Sequence, residues 1–344
     1  MRFLLDAEQR EFTASLDAML TAADTPSVVR DWSRGDHASG RALWRRIAEA
    51  GVFALAVPEA YEGLGPRPVE LALAFVELGR HAVPGPLVET VTAATLLASL
   101  DDTGPAKRLL PALVSGESAA TVATGTYALD ADMTDVRLAL SARPGVPPLG
   151  ELEDGGGESS PTRTPAELRL APPPGPPHPS LDPARRLFPV VPHGGELLAT
   201  DPPLAPALLL ARLTTAAQAL GVGLALLDRT VAYVKQRTQF GVPIGSFQAV
   251  GHQLADAKIA LEFARPLLLG AALTMTAEDV AAAKVTACEA AYRTARTALQ
   301  LHGAIGYTAE CDLSLWLTKA RALRTAWGNP DECRDTVLSG GRRW

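Results

Sequence analysis

The sequence predicts a mainly α-helical protein with a small β domain between two helical parts. Of its 28 prolines, 17 fall between Pro144 and Pro206, whereas the segments on either side repeat apolar residues at helical spacing. Proline fixes φ and removes a backbone donor, so no long helix or central strand is expected across that window. We therefore expect an N-terminal helical domain at 1–118, a reduced middle β domain at 119–203 and a C-terminal four-helix bundle at 204–344.

Composition and charge exclude several classes of protein. Hydrophobic residues make up 47% of the 344 residues and charged residues 20%, with a net charge of −6. This balance is typical of a soluble globular chain and argues against a nucleic-acid binder, which needs a basic surface. We find neither a secretion signal nor an uncharged apolar run of about 18 residues, and so expect a cytoplasmic protein that does not enter a membrane. The three cysteines lack disulfide-framework or metal-site spacing, so no metal is expected.

The N-terminal part, from about Asp6 to Leu113, has a helical pattern interrupted at 63–68 and 83–86, where Gly and Pro are concentrated. In the middle part, the segments 119–123, 136–142, 187–191 and 197–199 are candidate strands, of which the third contains Pro189 and can only be an edge strand. A long Gly- and Pro-rich loop is expected at 144–179.

The C-terminal part predicts four long helices. They are expected at 206–236, from Gly245 past Phe263, from a Thr276 cap to His302, and at 312–327, ending at Gly328-Asn329-Pro330. In the third helix an apolar face is predicted from steps of three and four residues, formed by Val285, Cys288, Tyr292, Ala295 and Leu299. Long helices joined by short loops indicate an antiparallel bundle.

Two motifs near the helix ends carry chemistry. Arg237 ends one helix, and its guanidinium can donate two parallel hydrogen bonds to a pyrophosphate or a carboxylate. Phe240 offers a ring for stacking, and the Gln248 amide can hydrogen-bond to the edge of a heterocycle. In the second motif, Gly303 and Gly306 allow a ligand close to the backbone. Together they suggest a dinucleotide site without a GxGxxG motif. Taken singly, each residue has a plainer interpretation, such as a surface arginine or a helix-ending glycine.

These segments resemble the acyl-CoA dehydrogenases, and more closely the short actinobacterial type used on steroid and related side chains. The similarity is strongest at 230–256, with Arg237-Thr238-Gln239-Phe240-Gly241 and Phe247-Gln248, and at 299–310, with Gln300-Leu301-His302-Gly303-Ala304. The resemblance implies the fold described above and the oxidation of acyl thioesters to 2,3-enoyl thioesters with FAD. It implies that a glutamate takes the α-proton while hydride leaves for the flavin.

The resemblance also assigns site residues. Eight residues match family residues that contact the adenosine and pyrophosphate half of an FAD bound mainly by the neighbouring subunit. They are Arg237, Gln239, Phe240, Phe247, Gln248, Gln300, Gly303 and Ala304. Arg212 matches an arginine that faces the thioester substrate, although an arginine on an apolar helix can also simply seek a carboxylate.

Two departures from the family pattern decide the predicted function. The two positions at which the family places its catalytic glutamate hold Trp327 and Ala211, neither of which can take a proton. The loop and strand that cradle the flavin ring are also missing around 121–135. The leading hypothesis is therefore a non-catalytic subunit of a heteromer, inactive alone, with FAD bound at the interface with a second acyl-CoA dehydrogenase subunit.

Two alternatives remain open: a flavin-free scaffold or degenerate paralogue, and a homomeric dimer or tetramer with a displaced base. The acyl group and its carrier, CoA or a carrier protein, are undetermined. The candidates for a displaced base are weak. Glu310 matches a glutamate that is not the family base, and Asp312 is expected to cap the last helix. Asp331 and Glu332 are expected to face solvent, Cys288 to pack in the core and His302 to occupy a variable position of its motif.

Overall fold

The computed structural model describes residues 4–142, 166–191, 194–308 and 310–340, and it confirms the predicted fold class. Six α-helices come first. They are α1 (Ala7–Thr21), α2 (Thr25–Ser33), α3 (Ala38–Glu49), α4 (Pro68–Arg80), α5 (Leu87–Ala98) and α6 (Gly104–Val114). The predicted interruptions fall between α3 and α4 and between α4 and α5.

Short strands follow in the middle of the chain. They are β1 (Ala120–Ala123), β2 (Tyr127–Leu129), β3 (Val136–Ala142), β4 (Ala166–Leu170), β5 (Leu187–Pro189) and β6 (Glu196–Thr200). One sheet has the order β1-β3-β4-β6, in which β1 and β3 are parallel and the other pairs antiparallel. Strands β2 and β5 form a separate antiparallel pair, so Pro189 lies on a two-stranded ribbon, as its missing N–H requires.

Strand β4 corrects the predicted loop at 144–179. The loop prediction is wrong over Ala166–Leu170, which pairs with β3 on one side and β6 on the other. A five-residue strand with a single fully buried side chain, Leu168, gives little periodic signal; its neighbours in the sheet define it. Residues 144–165 of the predicted loop lie outside the described residues.

Five helices and a short hairpin complete the described chain. They are α7 (Leu204–Gln236), β7 (Thr238–Gln239), β8 (Val242–Pro243), α8 (Gln248–Thr274), α9 (Ala277–His302), α10 (Leu313–Thr325) and α11 (Pro330–Ser339). Helices α7 to α10 pack as the predicted bundle. Helix α11 was not predicted, because Gly328-Asn329-Pro330 was interpreted only as an end. Asn329 in fact forms a capping box with Glu332, and Pro330 is the first residue of the new helix.

The buried face of α9 differs from the predicted one. Cys288 and Ala295 are buried, but Val285, Tyr292 and Leu299 lie half-buried at the edges of that face. Alanines dominate the interior face, where α9 packs closely against α7. Small side chains let the backbones of two helices approach closely. The buried face of α9 therefore consists mainly of alanines and is less hydrophobic than the face predicted from the large apolar residues.

Helix α7 is the central element of the fold. It packs against α4, α5, α8, α9 and α10, and it is the one described helix long and apolar enough to cross a membrane. Its most apolar window is 83% buried within the protein, which is how the core helix of a globular protein behaves. Where α7 crosses α4, a Cβ added at Gly221 would lie 1.9 Å from the Val76 carbonyl oxygen, so glycine sets the crossing distance.

Candidate functional site

A cavity of about 830 Å³ lies where the middle strands meet the start of α7 and the loop between α10 and α11. We call it the central cavity. Its walls are mostly apolar, and its polar lining includes Glu89, Arg185, Arg212, Thr124 and Ser141. Helix α5 contributes Glu89 to the lining, and the start of α7 contributes Leu208 and Arg212.

The loop that carries Trp327 is held in an unusual backbone conformation. Trp327 has φ of 58° and Gly328 has φ of 127°. A tryptophan in the left-handed region is uncommon and is retained only where the surroundings enforce it. Here the buried Lys284 ammonium donates to the carbonyl oxygens of Leu323 (3.1 Å), Arg324 (3.3 Å) and Gly328 (3.2 Å). One cation therefore caps α10 and fixes the loop.

The structure brings the two family base positions together. Arg212, next to Ala211 on α7, donates from Nε to the backbone oxygen of Trp327 at 3.2 Å. Ala211 itself is fully buried in the helical core. Among the described residues Arg212 has no carboxylate partner. Its guanidinium donates to a backbone carbonyl instead of to the carboxylate expected for an arginine on an apolar helix.

Glu89 is the cavity residue that sequence reasoning missed. It is 3% exposed, in the first turn of α5, and its Oε1 accepts a hydrogen bond of 3.1 Å from the Trp327 indole Nε1. Arg185 lies 3.8 Å from the same oxygen. Within the described residues, Oε2 is buried and has no hydrogen-bond partner. The available signal was that Glu89 is the single charged residue of the otherwise apolar helix Leu87–Ala98.

Further buried charges surround Arg185. Asp182 is 2% exposed and accepts from the Ala184 backbone N–H at 3.1 Å, a contact that stabilises the local turn. Burial lowers the pKa of Lys319 to about 8, while its Nζ donates to the Val83 carbonyl at 2.8 Å. Burial raises the pKa of Asp130 to about 7. Asp182, Asp130 and Lys319 thus form a group of buried ionisable side chains behind the cavity wall.

The other candidates for a displaced base lie elsewhere. His302 is buried, stacks on Tyr233 with ring centroids 4.1 Å apart, and burial lowers its pKa. Cys288 packs in the core as predicted, where burial raises its thiol pKa. Asp312 precedes α10 but makes no side-chain cap, and its carboxylate pairs with Arg30.

The remaining acidic candidates lie near the two ends of α10 and have different roles. Glu310 is exposed. Asp331 and Glu332 face solvent as expected, yet they form the first turn of α11 instead of lying beyond the last helix. Glu332 reaches the mouth of the central cavity while its carboxylate completes the capping box with Asn329.

The residues matched to the adenosine half of FAD gather at the opposite end of the bundle. We call this region the bundle-end surface. Arg237, Gln239, Phe240, Phe247 and Gln248 are all exposed on the hairpin between α7 and α8. Phe240 is 92% exposed at φ of 54°, and its ring lies edge-on to Phe247 at 6.4 Å. Gln300, Gly303 and Ala304 are exposed at the end of α9.

Contacts between the helices join these two motifs. Tyr233, near the end of α7, stacks on His302 and donates to its carbonyl oxygen at 3.4 Å. A groove of about 680 Å³ between α8 and α9 is lined by Gln300 together with Arg293, Arg296 and Asp256. A Cβ added at Gly303 would meet no atom within 4 Å, so a ligand can reach the backbone there.

The bundle-end surface and the central cavity are far apart in one chain. Arg212 and Arg237 are separated by 25 residues of α7, about 37 Å at 1.5 Å per residue. The bundle-end residues fit half of an FAD, because a guanidinium, amides and aromatic rings are exposed together. The central cavity does not supply the other half of the same molecule at that distance.

A cluster of Asp17, Glu77 and His81 lies outside both regions, with its potential ligand atoms within 4.8 Å of one another. His81 Nε2 is 2.8 Å from Asp17 and Arg80 is 3.6 Å from Glu77. A hydrogen bond between His81 and Asp17 and an ion pair between Glu77 and Arg80 account for this arrangement.

The fold is that of the acyl-CoA dehydrogenase family, and sequence comparison gives the same result. The chain matches the family models for the acyl-CoA dehydrogenase N-terminal domain over residues 6–117 and C-terminal domain over residues 205–340. It therefore belongs to the acyl-CoA dehydrogenase family.

Among known proteins it is similar to the acyl-CoA dehydrogenase IpdE2 of Mycolicibacterium smegmatis, with 32% identity over 329 residues, covering 95% of this chain and 96% of that one. Solved structures with the same fold include the ChsE4-ChsE5 complex from Mycobacterium tuberculosis (TM-score 0.79, 23% identity, 100% of both chains). Another is the Tcur3481-Tcur3483 steroid dehydrogenase variant (TM-score 0.79, 24% identity, 96% and 97% covered).

Proposed function

We propose that this chain is the non-catalytic subunit of a heteromeric, FAD-dependent acyl-CoA dehydrogenase that forms 2,3-enoyl thioesters in the cytoplasm. It supplies the adenosine-side contacts of FAD from Arg237, Gln239, Phe240, Phe247, Gln248, Gln300, Gly303 and Ala304. A second acyl-CoA dehydrogenase subunit supplies the flavin-ring pocket and the base.

The observation that carries this proposal is the pair of residues at the family base positions. Trp327 lines the central cavity, and Ala211 lies in the core next to Arg212, which also lines it. Neither has a group that can accept a proton from carbon. A homodimer would contain the same two residues twice. A partner with a glutamate at one of these positions restores the missing step.

The separation of the two half-sites supports a shared cofactor. Arg237 lies about 37 Å along α7 from Arg212, so an FAD held by Arg237 would not reach this chain's own central cavity. When bound, FAD accepts the hydride of the substrate. Arg237 would fork onto its pyrophosphate, and the exposed rings of Phe240 and Phe247 would pack against it.

An exposed apolar stripe supports a partner subunit. Ile259, Phe263 and Leu267 recur every four residues on α8 and are 53%, 69% and 44% exposed. Tyr307, beside the bundle-end surface, is 77% exposed. Contiguous apolar residues of this kind mark protein interfaces. Two related structures named above carry paired names, ChsE4-ChsE5 and Tcur3481-Tcur3483.

Two other functions make different predictions. A flavin-free scaffold would use the α8 stripe for assembly and bind no FAD. A homomeric dehydrogenase would bind FAD in the chain alone and be reduced by an acyl thioester, with a base other than residues 211 and 327.

The test is the visible absorption spectrum of the purified chain, alone and after co-expression with an acyl-CoA dehydrogenase that carries a glutamate at one of the two base positions. We expect a flavin band only in the co-purified complex, with about one FAD for every two chains. Flavin in the chain alone would overturn the proposal in favour of the homomeric enzyme. No flavin in either preparation would leave the scaffold. The Arg237→Ala chain serves as the matched control, since it should assemble with the partner but retain less flavin.

A further inference from the structure

Tyr233, in the last turn of α7, contacts both motifs of the bundle-end surface. Its backbone oxygen accepts a hydrogen bond of 2.9 Å from the Arg237 N–H, at the start of the hairpin between α7 and α8. Its hydroxyl donates to the His302 carbonyl oxygen at 3.4 Å. Its ring also stacks on the His302 imidazole, with centroids 4.1 Å apart and planes inclined by 18°. One residue therefore joins the two segments that match the adenosine half of FAD.

His302 is fixed in orientation at the end of α9. It is 8% exposed, and its Nδ1 lies 2.8 Å from the Ala298 carbonyl oxygen, one turn earlier. Because a carbonyl oxygen only accepts, Nδ1 carries the N–H. A Cβ added at Gly306 would lie 3.2 Å from the His302 Cβ, so the turn Gly303–Tyr307 folds back onto this residue. His302 thus contacts both Tyr233 and the turn that follows α9.

The hairpin is held against the same last turn of α7. The Ile244 N–H donates to the Arg237 carbonyl oxygen at 2.8 Å. A Cβ added at Gly245 would lie 3.1 Å from the Val234 carbonyl oxygen, so the far end of the hairpin packs closely on the helix. The position of the hairpin therefore follows the last turn of α7, which Tyr233 ties to α9.

The side chains that would meet FAD have little packing of their own. Arg237, Phe240 and Gln300 are all exposed, and Phe240 is 92% exposed. Their separation is consequently set by the backbone beneath them. Groups on two segments bind one ligand tightly only if that separation is fixed beforehand, because ordering them on binding costs free energy. An aromatic stack between the segments supplies this order.

We propose that Tyr233 and His302 are positioning residues, whose stacked rings set the separation between the hairpin and the turn after α9 so that both motifs bind one FAD. Neither side chain needs to touch the cofactor. This inference rests on the proposed function and extends it from the residues that contact FAD to the pair that holds them in place.

The first test is the affinity of FAD for the full-length chain in its complex, measured by equilibrium dialysis. Tyr233→Leu removes the stack and the hydroxyl, and it should weaken FAD binding by about 3- to 10-fold. Tyr233→Phe keeps the ring and should bind FAD within about twofold of the wild type. Tyr292→Leu is the matched control and should leave the affinity unchanged, since this half-buried tyrosine of α9 lies against Arg324 instead.

Variants of His302 test the pair from the other side. His302→Phe retains a ring for stacking but loses the bond to the Ala298 carbonyl, and it should keep most of the FAD affinity. His302→Ala removes the ring and should weaken binding about as much as Tyr233→Leu. These variants provide the comparison if Tyr233→Leu fails to fold.

Hydrogen exchange of the chain alone gives a readout without FAD. Tyr233→Leu should speed the exchange of backbone N–H groups by about threefold or more in both 238–247 and 303–307, because both segments lose the contact through Tyr233. Tyr292→Leu should speed exchange in neither segment.

Several results would overturn the inference. They are an unchanged FAD affinity in Tyr233→Leu, a loss in Tyr233→Phe or Tyr292→Leu equal to that in Tyr233→Leu, and exchange that does not change at 303–307. A wild-type complex without FAD would overturn the proposed function and this inference with it. Normal FAD binding by the wild type together with an unaffected Tyr233→Leu variant would overturn this inference alone.

Discussion

Arg212 and Trp327 are joined by a hydrogen bond of 3.2 Å from the guanidinium Nε to the tryptophan backbone oxygen. The bond links the start of α7 to the loop after α10, across 115 residues of sequence. It connects Trp327 to the residue next to Ala211, and residues 327 and 211 are the two positions that the resemblance matches to the family base. Neither residue carries a carboxylate, and a cavity of about 830 Å³ still lies beside the hydrogen bond.

Arg237 is expected to determine how much FAD the complex retains. Arg237→Ala removes charge-assisted hydrogen bonds to the pyrophosphate and should weaken FAD binding on the order of 10- to 100-fold. Arg237→Lys keeps the charge but cannot donate two parallel hydrogen bonds, so its affinity for FAD should lie between those of the wild type and Arg237→Ala. Equilibrium dialysis of FAD against the complex measures the effect, with the neighbouring exposed Lys235→Ala as control. Equal losses in the Lys235 and Arg237 variants would show a general charge effect and contradict the assignment.

Lys284 is expected to hold the Trp327 loop in place. Lys284→Met removes three hydrogen bonds to carbonyl oxygens at the end of α10. The free energy of unfolding should fall by about 2–4 kcal/mol, because buried carbonyls lose their donors. Denaturant unfolding measures this change. The exposed Lys258→Met should alter stability by less than about 0.5 kcal/mol, and a similar small change at Lys284 would contradict the prediction.

Two glycines in helices should respond oppositely to alanine. At Gly221 an added Cβ would lie 1.9 Å from the Val76 carbonyl oxygen, so Gly221→Ala should destabilise the protein by about 1–3 kcal/mol or more as α4 and α7 are forced apart. At the exposed Gly251 in α8 an added Cβ would meet nothing within 4 Å, so Gly251→Ala should stabilise by about 0.5–1 kcal/mol. Thermal unfolding of both variants provides the measurement, and effects of the same sign would contradict the described crossing of α4 and α7.

Asp130 is expected to make stability depend on pH. Burial raises the pKa of its folded-state carboxyl from 3.8 to about 7. Between these values the folded protein binds more protons than the unfolded chain, so stability is greatest below pH 4 for this group and is lost as pH rises through about 7. Asp130→Asn retains an oxygen to accept the Arg186 backbone N–H, bonded at 3.1 Å, and should flatten this decline.

Melting temperatures of the wild type and Asp130→Asn between pH 4.5 and 7.5 test that sign. Glu77, whose pKa burial raises to about 7, should leave a smaller decline of the same sign in the Asp130 variant. A decline of unchanged slope in Asp130→Asn would contradict the assignment.

Local signals predicted most of the helical architecture. Residues adjacent in sequence predict the caps at Thr276 and Gly303, the turns before Pro68 and Leu87, and the length of α7. Strand β4 and helix α11 were missed for two different reasons. The first is defined by partners in other strands, and the second begins at residues that equally well end a helix.

The sequence by itself determined the family, the domain order in outline and the absence of a glutamate at residues 211 and 327, because these follow from residue identity and short-range spacing. Only the tertiary structure decided what surrounds those positions. The Glu89 carboxylate meets the Trp327 indole across 238 residues of sequence, and Lys284 reaches the same loop from another helix. Such contacts depend on how α5, α7, α9 and α10 pack, and no local pattern records which side chains that packing brings to one cavity.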